Sequence, residues 1–455
     1  MNRKNTIVAI ATSVGKSSIG IVRVSGPDVL LVAKKILKTK LVERYAHFLP
    51  FFDNKNNIID QGIVLLFLSP RSYTGEDILE FHGHGNLIVL NLLIKNILLI
   101  KNVRIAEPGE FSKRAFFNKK IDLIQAESIC DLINADTESK VKSSLQSLTG
   151  DFSKYIRKIV KKINDITIIL EATINFSDEV PEEKNFFKKI DNNLTQLIYL
   201  LHQVTKISKQ GCLLREGIKI ILIGPSNAGK SSLFNRLLHK KVSIVTEIEG
   251  TTRDILKENI CINFFNIQLI DTAGLRHNPG KIEKIGIQLA VKEIKICDYI
   301  FLILDSTIKK EKHLYYIQKI AQKLQNFQKL IIIFNKIDLL NFKILLKDYP
   351  SKYLYFFISL KTDIGVKKIF KFLNNLSKKD NNLESTFLAR QRHLELLKLS
   401  LKFIEEGKHE WNNLYSFECL LDNLRLAKKY LFQVTGKFSH NDLLEKIFSK
   451  FCIGK

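Results

Sequence analysis

Five short runs between residues 224 and 361 carry residue types at spacings suited to phosphate, a metal ion and a purine base. Gly224, Gly229, Lys230 and Ser231 fall in a GxxxxGKS pattern, directly after the apolar run IILI and before LFNRLL. Glycines there let backbone N–H groups wrap phosphate oxygens, the lysine ammonium meets the outer two phosphates, and the serine hydroxyl ligates Mg²⁺. About 40 residues on, DTAG (Asp271 to Gly274) ends another apolar run. Its aspartate suits a water-mediated contact to Mg²⁺, and the Gly274 N–H suits a γ-phosphate. Between the two, GTTRD (Gly250 to Asp254) offers Thr252 as a loop hydroxyl that closes on the metal when triphosphate is bound.

The base is read by NKID (Asn335 to Asp338), which follows KLIIIF. A carboxylate such as Asp338 accepts from both N1–H and the exocyclic amine of guanine, a donor pair that adenine lacks. GTP is therefore expected over ATP. SLK (Ser359 to Lys361) forms a last loop around the base, with Leu360 where a small residue is usual, so tighter packing is expected there. Hydrolysis also needs an oriented water. Ras-like proteins place a glutamine after DTAG, whereas this chain has Leu275, whose side chain can neither donate nor accept. Glu283, twelve residues after Asp271, is the candidate to take that task.

These runs need elements that hold them. Between about 214 and 380, IKIILIG, NIQLIDTAG, DYIFLILD, KLIIIFNK and YLYFFIS read as short buried strands separated by helical stretches. That alternation implies a mostly parallel sheet covered on both faces. Residues 1–118 mix β-like runs with turn-rich segments and read as an α+β module. From 119 to 213, Ile121, Ile124, Ala126, Ile129, Leu132 and Ile133 recur at helical spacing, and helical patterning returns after 381. The fold class is thus multidomain α/β and α+β, with a P-loop domain (214–380) inserted into a discontinuous helical domain (119–213 and 381–455).

The 455 residues, 45% hydrophobic, are enough for several cores and exclude wholesale disorder. The net charge of +25 invites a polyanionic partner. Yet only 14 of 71 basic residues are Arg, the side chain preferred for bidentate phosphate and guanine contacts, so compositional drift is an equal reading. Of that charge +14 lies in 214–380 and +7 in 1–118, in no dense run. Cys130, Cys212, Cys261, Cys297, Cys419 and Cys452 include no CxxC pair and no zinc spacing. His82 and His84 share one strand face with no third ligand evident, so no metal is assigned to them. The start shows no targeting segment, and no apolar run reaches about 18 residues. A reduced cytoplasmic protein without a membrane span is expected.

On these motifs and several others the chain resembles the MnmE (TrmE) family of tRNA-modifying GTPases. The further matching segments are IVRVSG (Ile21 to Gly26), SYTGEDILE (Ser72 to Glu80) followed by HGHG, RIAEPGEFSKRAFFNKKIDLIQAE (Arg104 to Glu127), and the terminal FCIGK (Phe451 to Lys455). The resemblance covers essentially the whole chain. It implies an N-terminal domain similar to tetrahydrofolate-binding modules, in which Arg23, Glu80, Lys120 and Lys455 bind a one-carbon tetrahydrofolate of 5-formyl or methylene type. It implies a Ras-like G domain whose GTP-binding set also includes Asn227, Ala228, Ser232, Thr246, Glu247, Ile248, Glu249, Thr251, Thr272, Ala273 and Lys336. Two such domains meet across K⁺, for which Asn227, the carbonyls of Thr246 and Ile248, and Thr251 match the ligands, while Ser231 and Thr252 match those of Mg²⁺. The family's water-orienting glutamate falls on Glu283, which joins Lys230 as catalytic, and Cys452 matches a cysteine with either a catalytic or a structural role.

The implied activity is hydrolysis of GTP coupled to addition of a carboxymethylaminomethyl group to C5 of the wobble uridine, position 34, of certain tRNAs. The implied partners are a second copy of the chain, an FAD-dependent MnmG-like protein completing a heterotetramer, and tRNA. Two departures from the family pattern are Pro225-Ser226 after the first P-loop glycine and HNPGKIEK, which lacks the usual acidic residues before Glu283. The rival is an Era- or Der-like ribosome-assembly GTPase that binds rRNA without modifying it, which would need a KH domain or a second G domain.

Overall fold

The computed structural model describes residues 5–13, 15–175, 184–239, 256–262, 265–271, 297–322, 324, 330–340, 349–378, 387–437, 441–449, 451 and 454. The chain divides into two compact units, one of Met1–Asn134, Ser144–Lys206 and Gln391–Lys455, the other of Ala135–Ser143 and Ile207–Arg390.

In the first unit, strands β1 (Thr6–Ile10), β2 (Ser17–Ser25), β3 (His47–Phe52), β4 (Ile58–Phe67), β5 (Ile78–Gly85) and β6 (Val103–Ile105) form a sheet in the order β3-β4-β5-β2-β1-β6. All pairs are antiparallel except β1 with β6. Helices α1 (Val29–Leu37) and α2 (Leu87–Leu98) cover one face, where Val22, Val24, Val64, Leu66, Leu79 and Phe81 are buried with Val32 and Leu93. Because side chains alternate along a strand, Arg23 and Glu80 stand on the opposite face, with Phe111 of α3 (Glu110–Phe117). A second Gly-Lys-Ser triplet, Gly15 to Ser17, occurs in this module. It joins β1 to β2 in an antiparallel pair and does not open a helix, so it lacks the setting of a phosphate loop.

The helical part of this unit contains α4 (Leu123–Ile133), α6 (Asp151–Asn175), α11 (Gln391–Leu414), α12 (Phe417–Val434) and α13 (Asn441–Phe448); α5 (Glu138–Leu148) and α7 (Lys184–Glu216) complete the order before the second sheet. Asp122 and Gln125 make a reciprocal capping box at the start of α4. Chain segments far apart in sequence are tied inside the bundle. Glu127, 2% exposed, accepts from Arg392 at 3.2 Å and pairs with His393 at 3.1 Å. Phe187 stacks on the buried Trp411, with ring centroids 5.6 Å apart. The sequence expectation of one helical domain built from two segments agrees with this packing.

The second unit holds β7 (Ile218–Ile223), β8 (Leu256–Ile262), β9 (Phe265–Asp271), β10 (Tyr299–Asp305), β11 (Leu330–Asn335) and β12 (Leu354–Phe357), with α8 (Lys230–His239), α9 (Lys310–Ala321) and α10 (Val366–Lys378). The sheet order is β12-β11-β10-β7-β9-β8, parallel except for β8 at one edge. Ile220, Leu222, Phe301, Ile303, Ile331 and Ile333 enter one core, while Ile221, Ile300, Leu302, Leu304, Ile332 and Phe334 enter the other. Burial on both faces is why these strands read as continuous apolar runs.

Candidate functional site

The site of the second unit is assembled at the carboxyl ends of β7, β10 and β11, where open parallel sheets bind ligands. After β7 the chain turns through Gly224 to Gly229 into α8. Gly224 has φ +151°, and a Cβ there would drive into the Ile303 carbonyl oxygen. Gly229, at φ +99°, lies against the amide nitrogen of Asn335. Asn227 also takes a positive φ, +59°, so the loop curls with its backbone turned inward, a shape suited to oxyanions.

Lys230 opens α8 and is 6% exposed; its ammonium donates to the carbonyls of Gly224 (3.0 Å) and Pro225 (2.7 Å). Pro225, one of the two departures from the family pattern, thus contributes only its carbonyl to this contact. Ser231 and Ser232 are exposed in the first turn of α8. The register pairs Asp271 with Leu222, two residues before Gly224, so the end of β9 lies beside the loop. A serine hydroxyl in the first turn of a helix suits a hard cation such as Mg²⁺.

Asn335 ends β11, is 4% exposed and bridges three motifs: its Nδ2 donates to the Ala228 carbonyl (2.9 Å) and its Oδ1 accepts from the Leu360 N–H (3.2 Å). Lys336 follows with φ +65°, and its ammonium pairs with Asp305 at 2.6 Å. Burial pushes the Asp305 carboxyl up, but hydrogen bonds from Lys336 and Thr307 outweigh it and hold the group below the usual carboxylate range. Asp338 is exposed on a single 3₁₀ turn, Ile337–Leu339. Ser359 is buried, and its hydroxyl accepts from the Thr362 N–H. Leu360 packs against the core and Lys361 completes the rim. Asn227, Gly229, Lys230, Ser231, Asn335 and Asp338 line one cavity of about 770 Å³, within the range of small-ligand sites. Arg236 of α8 and Asp363, beyond SLK, form an ion pair that ties the loop's helix to the base-side loop.

The first unit brings together Arg23 and Glu80, directly opposite each other on β2 and β5, with Nε 2.8 Å from Oε1. His82, two residues along the same face, takes the other carboxylate oxygen at 3.1 Å. Burial raises the Glu80 carboxyl, and the hydrogen bonds from His82 and Arg23 reverse that, leaving it lowered. The Arg23 guanidinium lies 5.6 Å from the Tyr73 ring centroid and 5.8 Å from that of Phe111. Cation, carboxylate and flanking rings suit a planar, polar heterocycle such as a pterin. Lys120 is exposed and donates to the Pro70 carbonyl at 2.9 Å. Sequence reasoning missed the His82–Glu80 contact, although period two from Glu80 would have flagged it. His84 turns instead to Asp60 at 2.7 Å, and no group of three metal-binding side chains occurs among the described residues.

Thr246, Glu247, Ile248, Glu249, Gly250, Thr251, Thr252, Thr272, Ala273, Gly274, Glu283, Cys452 and Lys455 lie outside the described residues.

Comparison with known proteins adds to this geometry. The family description "GTP-binding protein TrmE N-terminus" matches residues 6–120, and "MnmE helical domain" matches residues 123–452. Three similar relatives each bear the name "tRNA modification GTPase MnmE". The protein from Buchnera aphidicola subsp. Cinara cedri (strain Cc) is 50% identical over 452 residues, covering 99% of both chains. That from Mannheimia succiniciproducens is 44% identical over 458 residues, covering 100% of both, and that from Baumannia cicadellinicola is 44% identical over 456, covering 99% of both. With a cavity built from P-loop and NKID residues and a match that runs from one end to the other, this chain belongs to the MnmE family.

Proposed function

We propose that the protein hydrolyses GTP to GDP and phosphate, and that with an FAD-dependent MnmG-like partner it adds a carboxymethylaminomethyl group to C5 of uridine 34 in certain tRNAs. The observation that carries the nucleotide reading is the Asn335 bridge, which holds the phosphate loop, NKID and SLK around one cavity. The tRNA reading rests on the relatives' shared name.

In this reading Lys230 exchanges its loop carbonyls for phosphate oxygens, Asp338 accepts from the guanine edge, and Ser359, Leu360 and Lys361 close over the base. Ser231 and Thr252, with Asp271, would hold Mg²⁺, which would supply charge neutralisation at the phosphates. Asn227, Thr246, Ile248 and Thr251 would hold K⁺, which would supply positive charge to offset the negative charge developing on the phosphates. Glu283 orients the attacking water, a task that Leu275 cannot perform. Arg23, Glu80, Lys120 and Lys455 hold a one-carbon tetrahydrofolate, with Cys452 close to it in sequence.

The domain division is 1–118, 119–213, 214–380 and 381–455. The protein pairs with a second copy through its N-terminal domain and works in the cytoplasm; among the described residues no helix is long and apolar enough to cross a membrane. The test is GTP turnover in KCl against NaCl with Glu283→Ala alongside. Faster turnover in KCl and a near-inactive variant are expected, while equal rates in both salts would remove the K⁺ role. Nucleoside analysis of tRNA from depleted cells should show loss of the C5 group, and unchanged tRNA would refute the modification reading.

A further inference from the structure

A second cavity, of about 820 Å³, lies in the first unit between the turn after α3, helix α6 and the end of α12. Its rim carries Lys119, Arg157, Lys161 and Lys437, together with Lys120, whose ammonium donates to the Pro70 carbonyl, and one carboxylate, Asp122. That carboxylate is already engaged in capping α4. Among the described residues no carboxylate pairs with any of the five cations. Arg157 and Lys161, one helical turn apart on α6, are exposed on the same side of that helix.

Between these charges the walls are aromatic. The rings of Phe116, Phe117 and Phe432 are half-buried there, and the Lys437 ammonium sits 5.1 Å from the Phe432 centroid. Gly436, at φ +86°, brings the chain after α12 against the Phe116 ring; a Cβ there would lie 2.9 Å from it. Ser153 borders the cavity, fully buried, and among the described residues its hydroxyl has no hydrogen-bond partner.

A concave site that combines aromatic faces with several cations that have no carboxylate partner among the described residues suits nucleotides, whose phosphates meet the cations while the bases lie on the rings. A purely carboxylate or phosphate ligand would leave the rings unused, and an apolar one would leave the cations facing it. We propose that this cavity binds unstacked nucleotides of a single-stranded RNA segment. This rests on the tRNA reading above and deepens it, since it gives an RNA strand a place on the helical bundle.

The experiment uses the full chain with excess GDP, so that the P-loop cavity is occupied, and a fluorescent oligouridylate of about eight nucleotides. Arg157→Glu with Lys161→Glu should weaken binding at least tenfold and flatten the dependence of log K on log salt by about 1.4, two contacts at about 0.7 each. Phe432→Ala should weaken it at least fivefold, the lower end for loss of one stacked base. A control with equal charge change, Lys398→Glu with Lys402→Glu on α11, should leave the affinity within twofold. UMP should compete, whereas inorganic phosphate at matched ionic strength should not. GTP turnover, measured on the same variants, should be unchanged, which separates this site from the nucleotide reading. An unchanged affinity in the α6 variant, an equal loss in the α11 control, or full competition by phosphate alone would each overturn the proposal. Lys120 is left intact because it also belongs to the folate reading.

Discussion

Asn335 is where the nucleotide site is most exposed to a decisive perturbation. Its side chain is 4% exposed and makes two bonds that cross the site, one to the Ala228 carbonyl and one from the Leu360 N–H. Asn335→Ala removes both and leaves two buried backbone groups without partners, at about 1–3 kcal/mol each. Water entering the vacated space recovers part of this, so a net loss of about 2–4 kcal/mol is expected in the closed arrangement of the loops. If that arrangement is the form that binds nucleotide, the dissociation constant of a fluorescent GDP analogue should rise by about 30- to 1,000-fold. Asn335→Asp separates the two bonds. It still accepts from Leu360 but sets a carboxylate against the Ala228 carbonyl oxygen, so it should bind no better than the alanine variant. Equilibrium titration measures the affinity, and denaturant unfolding of each variant reports how much of the loss is global. An alanine variant within threefold of the parent would show that the bridge does not hold the site together.

Three further substitutions read other parts of the same unit. Gly229→Ala places a Cβ against Asn335 at φ +99°; strain of about 1–3 kcal/mol should weaken GDP binding more than tenfold in the same titration. Asp305→Asn removes the charge opposite Lys336 and should raise the GDP dissociation constant about three- to tenfold. Because the Asp305 carboxyl is lowered in the fold, its stabilisation is present above the unfolded carboxylate value and is lost as pH falls through the folded one. His313, 2% exposed, donates from Nε2 to the Asp305 carbonyl at 2.8 Å, so the neutral ring accepts at Nδ1 from Tyr349. Burial lowers its pKa, outweighing the contrary pull of the Asp305 and Glu311 charges. A base lowered on folding favours the native state above its unfolded value near 6.5 and progressively less below it. Denaturant midpoints should therefore fall between pH 7 and 5, and His313→Gln should flatten that slope.

What could be read in the sequence follows from how far apart along the chain the interacting groups lie. GPSNAGKS and NKID were legible because each keeps its chemistry within a few residues and follows a strand buried on both faces, which reads as an apolar run. The strands β3 and β8 were not, because an antiparallel strand such as Leu256–Ile262 interleaves polar residues and is fixed by its partner's register. The bridge between Asn335 and Ala228 spans 107 positions, and no local pattern specifies which carbonyl an asparagine will find.

The same reasoning explains why the N-terminal site needed the family resemblance. Arg23 and Glu80 are 57 positions apart, and each alone reads as surface charge. Only the β2–β5 register sets them opposite, on the face that α1 and α2 leave uncovered. Once that register is known, His82 follows without further information, since every second residue of β5 shares the face. A half-buried carboxylate held by two cation-capable donors is also the arrangement in which one donor can leave while the other keeps it ionised. Exchange of His82 for a ligand N–H would thus leave Arg23 in place. Isothermal titration of a reduced folate with His82→Ala should then show binding no weaker than the parent, whereas Arg23→Ala should lose it, and equal losses in both would refute the division of roles.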